Sequence, residues 1–125
     1  LIDFLNCRFY NERRIGMTGV LGMSGDFLIQ IIRAVAEGHY KLTEHAIEEA
    51  ENDRILLWEV KAALLAGELI EDYPEDRRGH SCLILGYNYG RAMHIVCGMR
   101  EQIAIIITVY YPDDEKWIND RERRV

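Results

Sequence analysis

The chain has 125 residues, nearly half of them apolar, which suffices for one core and leaves too little for a second domain. No apolar run approaches the roughly 20 residues of a bilayer span, and the start lacks the charged, apolar and small-residue zones of a secretory signal. A membrane protein is therefore excluded as a reading, and a cytoplasmic location is expected. The formal net charge of −6 argues against a protein whose main task is to grip phosphate backbones.

The charge is polarised along the chain. From Glu44 to Glu75 acids greatly outnumber Arg54 and Lys61, whereas Arg77, Arg78, Arg91 and Arg100 gather in the next stretch. With the helices on one side of a sheet, this predicts an acidic helical side and a more basic sheet side.

Residues 1–23 show no sustained apolar period and read as a poorly structured leader or an over-long start, with Met17 or Met23 as a plausible true start. The single domain is expected over 24–125. Ser24 or Asp26 is a candidate cap for a first helix, whose Phe27, Leu28, Ile31, Ile32 and Val35 recur at helical spacing, with Gly38 as its stop. Thr43 caps a second helix through Ala46, Ile47 and Ala50, ending near Asn52. A third covers about Leu57 to Ala66.

After Gly67 the period changes from helical to alternating. Glu68 to Tyr73, Ser81 to Tyr87, Arg91 to Met99 and Gln102 to Tyr111 read as strands. The links Asn88-Tyr89-Gly90 and Arg100-Glu101 are too short for anything but antiparallel neighbours. Ile103 to Ile107 is apolar at every position, so both faces of that strand must be covered, by helices, the N-terminal segment or a second copy of the chain. Helices first and strands last predict an α+β domain: N-terminal helices on an antiparallel β-meander. Asp113 to Val125, acidic at its start and basic at its end, reads as a short charged C-terminal helix pinned by Trp117.

Cys7, Cys82 and Cys97 form no Cys-x-x-Cys pair and read as reduced thiols. His80, Cys82, His94 and Cys97 are close in sequence, but on a strand His94 shares a face with Val96 while Cys97 shares one with Ile95. No metal and no cofactor are therefore implied. The chemistry falls to His45, Arg54, His94 and Tyr110, with Thr108 on the face of Tyr110. Histidine moves protons near neutral pH, arginine holds phosphate, and a tyrosine hydroxyl donates a hydrogen bond. Those are the tasks of metal-free RNA cleavage. Arg77 and Arg78, beside Gly79 and His80 in a loop between strands, are further candidates for a phosphate contact. Each of these residues also has a bland reading, as a satisfied structural histidine, a core-edge tyrosine or a solvated turn.

The order of several motifs resembles one bacterial family. Lys41 to Ala46, Arg54-Ile55, Gly67 to Pro74, His94 to Cys97, Ile107 to Asp113 and Lys116-Trp117 are similar to the family called domain of unknown function 4258. Its members look like small toxins of the RelE type, and this subgroup is similar to those encoded beside a YgiT-type zinc-finger antitoxin. The resemblance implies a RelE-like α+β fold and a metal-independent messenger-RNA endonuclease of a type II toxin-antitoxin pair. It carries over His45, Arg54, His94 and Tyr110 as the positions matching family motifs, and implies an antitoxin as protein partner. The rival expectation is a non-catalytic protein-binding or dimerisation module, in which the same polar residues are structural.

Overall fold

The computed structural model describes residues 24–125; the expected leader at 1–23 lies outside the described residues. The elements run α1 (Ser24–Ala36), β1 (Tyr40–Leu42), α2 (Glu44–Asn52), α3 (Leu57–Leu65), β2 (Glu68–Tyr73), β3 (Ser81–Asn88), β4 (Arg91–Arg100), β5 (Ile103–Tyr110), β6 (Trp117–Ile118) and β7 (Glu122–Arg123). This is an α+β fold, with three described helices on a five-stranded, mostly antiparallel sheet in the order β1-β5-β4-β3-β2.

α1 forms because Phe27, Ile31, Ala34 and Val35 fall on one stripe and are all buried. It begins at Ser24, which puts Asp26 in its first turn rather than at the cap. At its end Gly38 takes φ 84°, and the amides of Gly38 and His39 donate to Val35 (3.0 Å) and Ala34 (2.8 Å). That closure satisfies carbonyls which the helix itself leaves open. Thr43 caps α2 as expected, its hydroxyl accepting from the Ala46 amide at 3.0 Å. The same hydroxyl donates to the Ile107 carbonyl at 2.9 Å, so the cap also fastens α2 to β5.

β2 to β5 form the expected meander. Tyr89 (φ 51°) and Gly90 (φ 81°) make the two-residue turn between Asn88 and Arg91, the paired geometry that follows strand twist. A bulge between Val96 and Cys97 inserts Ile107 into β5, which leaves Ile105, Ile107, Thr108 and Tyr110 on one face and Ala104, Ile106 and Val109 on the other. Both faces of this strand are buried over most of its length, as its composition requires. The helices cover the second of those faces, where Cys82, Ile84, Met93, Ile95 and Cys97 join the core.

Two expectations are corrected. The sheet is not purely antiparallel: β1 lies beside β5 in parallel, with Lys41 opposite Ile105. Three residues carry too little periodicity to announce a strand, and its partner lies some sixty residues later. The C terminus is not a helix but a small β-hairpin, Trp117 opposite Arg123, turning through Asn119 and Asp120 at positive φ. A short helix would have stood almost alone, and isolated helices of that length are marginal in water. The hairpin instead inserts Trp117, 3% exposed, against the sheet. Arg121 meets Glu68 at 2.6 Å and Arg123 meets Glu71 at 3.1 Å, tying it to β2.

Candidate active site at the outer edge of strand β5

The helix-free face of the sheet carries His94 and Tyr110, which are register partners on β4 and β5. Their side chains meet, with His94 Nδ1 3.0 Å from the Tyr110 hydroxyl. The other ring nitrogen, Nε2, lies 2.6 Å from the Asp120 carbonyl in the hairpin turn, and Trp117 stands edge-on to the ring at 4.4 Å. A carbonyl only accepts, so Nε2 carries the proton. Nδ1 then accepts from Tyr110.

His94 is fully buried, and burial holds its pKa below the ordinary 6.5, against the opposing pull of the Asp120 carbonyl. The Tyr110 pKa is raised, also chiefly by burial. A histidine whose folded pKa is depressed contributes stability that is complete above its unfolded value. That stability is lost as pH falls through the folded value. Urea midpoints should therefore drop between pH 7.5 and pH 5, and His94→Gln should flatten that slope; an unchanged slope would mean that His94 is not the titrating group.

His45 comes from the first turn of α2 and is exposed. Its Nε2 is 3.3 Å from Glu49 one turn on, and the other Glu49 oxygen accepts from the Val109 amide at 3.0 Å. β1 pairs with β5 only as far as Ile106, so among the described residues the outward amide of Val109 has no strand neighbour, and it donates to the carboxylate instead. Burial is the main cause of the raised Tyr110 pKa, and Glu49 adds the smallest contribution to it. His45, Glu49, Tyr110 and His94 thus gather around two consecutive residues of β5, one histidine open at the edge and the other sealed beneath the hairpin. Thr108 shares the helix-free face, opposite Val96.

Arg54 follows α2 with φ 57°, exposed, in the left-handed position that ends the helix; the Ile55 amide donates to Ala50 at 2.7 Å across it. A side chain there costs about 1 kcal/mol relative to glycine. Arg54→Gly should leave the thermal midpoint unchanged or higher, so a loss of RNA cleavage in that variant would report the guanidinium alone.

The loop arginines are not brought into this group. Ser81 pairs with Gly98 and Leu85 with His94, which sets the β2–β3 loop about 13 Å along the sheet from the histidine. Arg78 is held by Asp76, with Nε and Nη2 each 3.2 Å from its carboxylate, while Arg77 is exposed. In the same loop His80 pairs with Asp72 at 2.6 Å and stacks on Phe27, 3.8 Å between ring centres. Cys82 and Cys97 face one another in the helix-side core, with His94 pointing to the opposite face, so these residues cannot converge on one ion.

Sequence reading missed Glu49 and Asp120. The four-residue interval from His45 to Glu49 on a helix was the available signal for the first. The second acts through its backbone carbonyl and left none.

The chain matches the family model described as a domain of unknown function, DUF4258, over residues 42–111. That span runs from the end of β1 to just beyond Tyr110, taking in both histidines of the site. Comparison with curated proteins and with solved structures gives no match.

Proposed function

The chain belongs to the DUF4258 family, and from the residues gathered at the β5 edge we propose that it is a RelE-like toxin of a type II toxin-antitoxin pair that cleaves RNA without a metal. The observation that carries this reading is the placing of two histidines at neighbouring residues of β5, His94 bonded to the Tyr110 hydroxyl at 3.0 Å and His45 joined through Glu49 to the Val109 amide. One histidine is exposed and backed by a carboxylate; the other is neutral and bonded to a hydroxyl.

In this reading Glu49 accepts from Nε2–H of His45, leaving Nδ1 as the base that removes the proton of an RNA 2′-hydroxyl. The resulting alkoxide attacks the adjacent phosphorus, and the bond from phosphorus to the 5′-oxygen breaks. His94 is neutral in the free protein; the anionic phosphate of the bound RNA draws a proton from solvent onto its Nδ1. Nδ1–H then donates to the Tyr110 oxygen, which frees the tyrosine proton for the departing 5′-oxygen. His94 refills Tyr110, and the products are a 2′,3′-cyclic phosphate and a 5′-hydroxyl. Arg54 binds the phosphate, stabilising the charge that develops on it. Arg77 and Arg78 contact the RNA backbone further along the sheet. The protein partner in this account is a YgiT-type zinc-finger antitoxin, and the pair acts in the cytoplasm.

A second reading is supported by the completeness of the His94 hydrogen bonds: both ring nitrogens are satisfied within the fold, as in a structural histidine. The domain would then be a non-catalytic binding module. Purified chain incubated with single-stranded RNA separates the two. Cleavage that is lost in His45→Ala and Tyr110→Phe supports the enzyme, whereas no cleavage by the wild type, or equal cleavage by the variants, supports the module.

A further inference from the structure

The chain has two tryptophans, and the fold treats them in opposite ways. Trp117 is 3% exposed against the sheet, whereas Trp58, in the first turn of α3, is 55% exposed. Tryptophan is among the more buried residues of most domains, because its ring removes so much apolar surface from water. Trp58 instead meets the ring of Tyr89 edge-on, 6.3 Å between centres, and Tyr89 is 84% exposed in the turn between β3 and β4. Two residues further on, the guanidinium of Arg91 lies 3.6 Å from the centre of the Tyr111 ring, whose hydroxyl accepts from Asn88 Nδ2 at 3.2 Å. Arg91 is exposed, and Tyr111 packs against the helix-side core.

Trp58, Tyr89, Arg91 and Tyr111 share one end of the domain. Asn88 and Arg91 are register partners with the parity of Met93 and Ile95, which puts them on the helix-covered face. The contact of Trp58 with Tyr89 brings the start of α3 to the same end. Glu59, the acid beside Trp58 in sequence, is turned back onto the Leu56 amide at 2.8 Å. Tyr111 directly follows Tyr110, so the cluster adjoins the candidate site at the end of β5.

We infer that this cluster is a stacking platform for the unpaired bases of single-stranded RNA. One base lies on the outer side of the Arg91 guanidinium, whose inner side is on Tyr111, and a neighbouring base lies against Trp58 and Tyr89. The occupant rests on the RNA reading of the β5 edge, while the platform uses none of the residues assigned to the chemistry there. Charge decides how such an RNA is held. With a net charge of −6 the chain gains little by displacing counterions from phosphates, so its affinity has to come from contacts that need no net charge. Aromatic rings and a flat guanidinium supply them, because every base has a face to stack and no particular sequence is required.

The test is titration of a fluorescein-labelled 2′-O-methyl RNA of mixed sequence with the full chain; this probe has no free 2′-hydroxyl and so reports binding without cleavage. Affinity should fall at least about fivefold in Trp58→Ala and in Tyr89→Ala, the low end of what one stacked base contributes. Both side chains are exposed, and circular dichroism should remain native. Arg91→Lys keeps the charge but loses the plane, and should weaken binding to a similar degree. Raising salt from about 50 to about 200 mM should lower affinity by less than about a hundredfold, against the thousandfold or more of a protein that grips many phosphates. Binding that depends on Trp58 and Tyr89, with no cleavage of ordinary RNA, would support the platform and contradict the chemistry at β5. Cleavage with binding indifferent to both substitutions would do the reverse. The inference is also overturned if the wild type does not bind the probe, or, in favour of a second copy, if the wild type is a dimer that Trp58→Ala dissociates.

Discussion

Gly86→Ala is expected to cost about 3 kcal/mol of stability, the upper end of what overpacking usually does, and to lower the melting temperature by roughly 10–20 °C. A Cβ at Gly86 would lie 2.3 Å from the carbonyl oxygen of Ala63 and 2.7 Å from its carbon. Both are backbone atoms of α3, so no side chain can turn aside; the helix itself must lift. Val60, Ala63 and Leu64 are fully buried on that helix, and lifting it loosens all three from the sheet. Gly67 is an internal control. A Cβ there meets Ile84 Cγ2 at 2.4 Å, a side-chain atom able to shift, with backbone no closer than 3.1 Å. Gly67→Ala should therefore be the milder substitution in urea unfolding. Equal midpoints for Gly86→Ala and the wild type would contradict the seating of α3 on β3.

His45→Ala should lower RNA cleavage by about a hundredfold or more, the usual contribution of a positioned acid or base. The side chain is exposed, so its removal should change stability by no more than about 0.5 kcal/mol. Tyr110→Phe should lower cleavage to a similar degree. It should also cost about 1 kcal/mol of stability, because Nδ1 of His94 loses its donor in a buried site. Base and acid serve one step, so the double variant should be little slower than the slower single variant. Cleavage by His45→Ala within threefold of the wild type would remove His45 from the mechanism, whatever Tyr110→Phe does.

The α+β order and the meander were legible because their signals are local. Phe27 to Val35 repeats at helical spacing, Thr43 caps, and Tyr89-Gly90 turns a hairpin that its neighbours cannot avoid. β1 and the C-terminal hairpin were not legible, because each depends on partners distant in sequence: Tyr40 on Ala104, and Arg123 on Glu71. The charge pattern from Asp113 to Arg124 favoured a helix, yet the burial of Trp117 and the two ion pairs to β2 outweighed it. At the site, strand alternation put Thr108 and Tyr110 on one face, while the place of His94 beside Tyr110 depended on a register that the sequence left open. The distance of Arg77 and Arg78 from His94 was not legible, because nothing in the sequence measures the length of sheet between that histidine and the β2–β3 loop.

The most direct test of RNA cleavage at the β5 edge is the chemistry of the ends that the purified chain leaves on a labelled single-stranded RNA in the presence of EDTA. The account predicts cleavage to 2′,3′-cyclic phosphate and 5′-hydroxyl ends, abolished in His45→Ala. Intact RNA, cleavage that EDTA prevents, or products ending in 3′-hydroxyl and 5′-phosphate would contradict it.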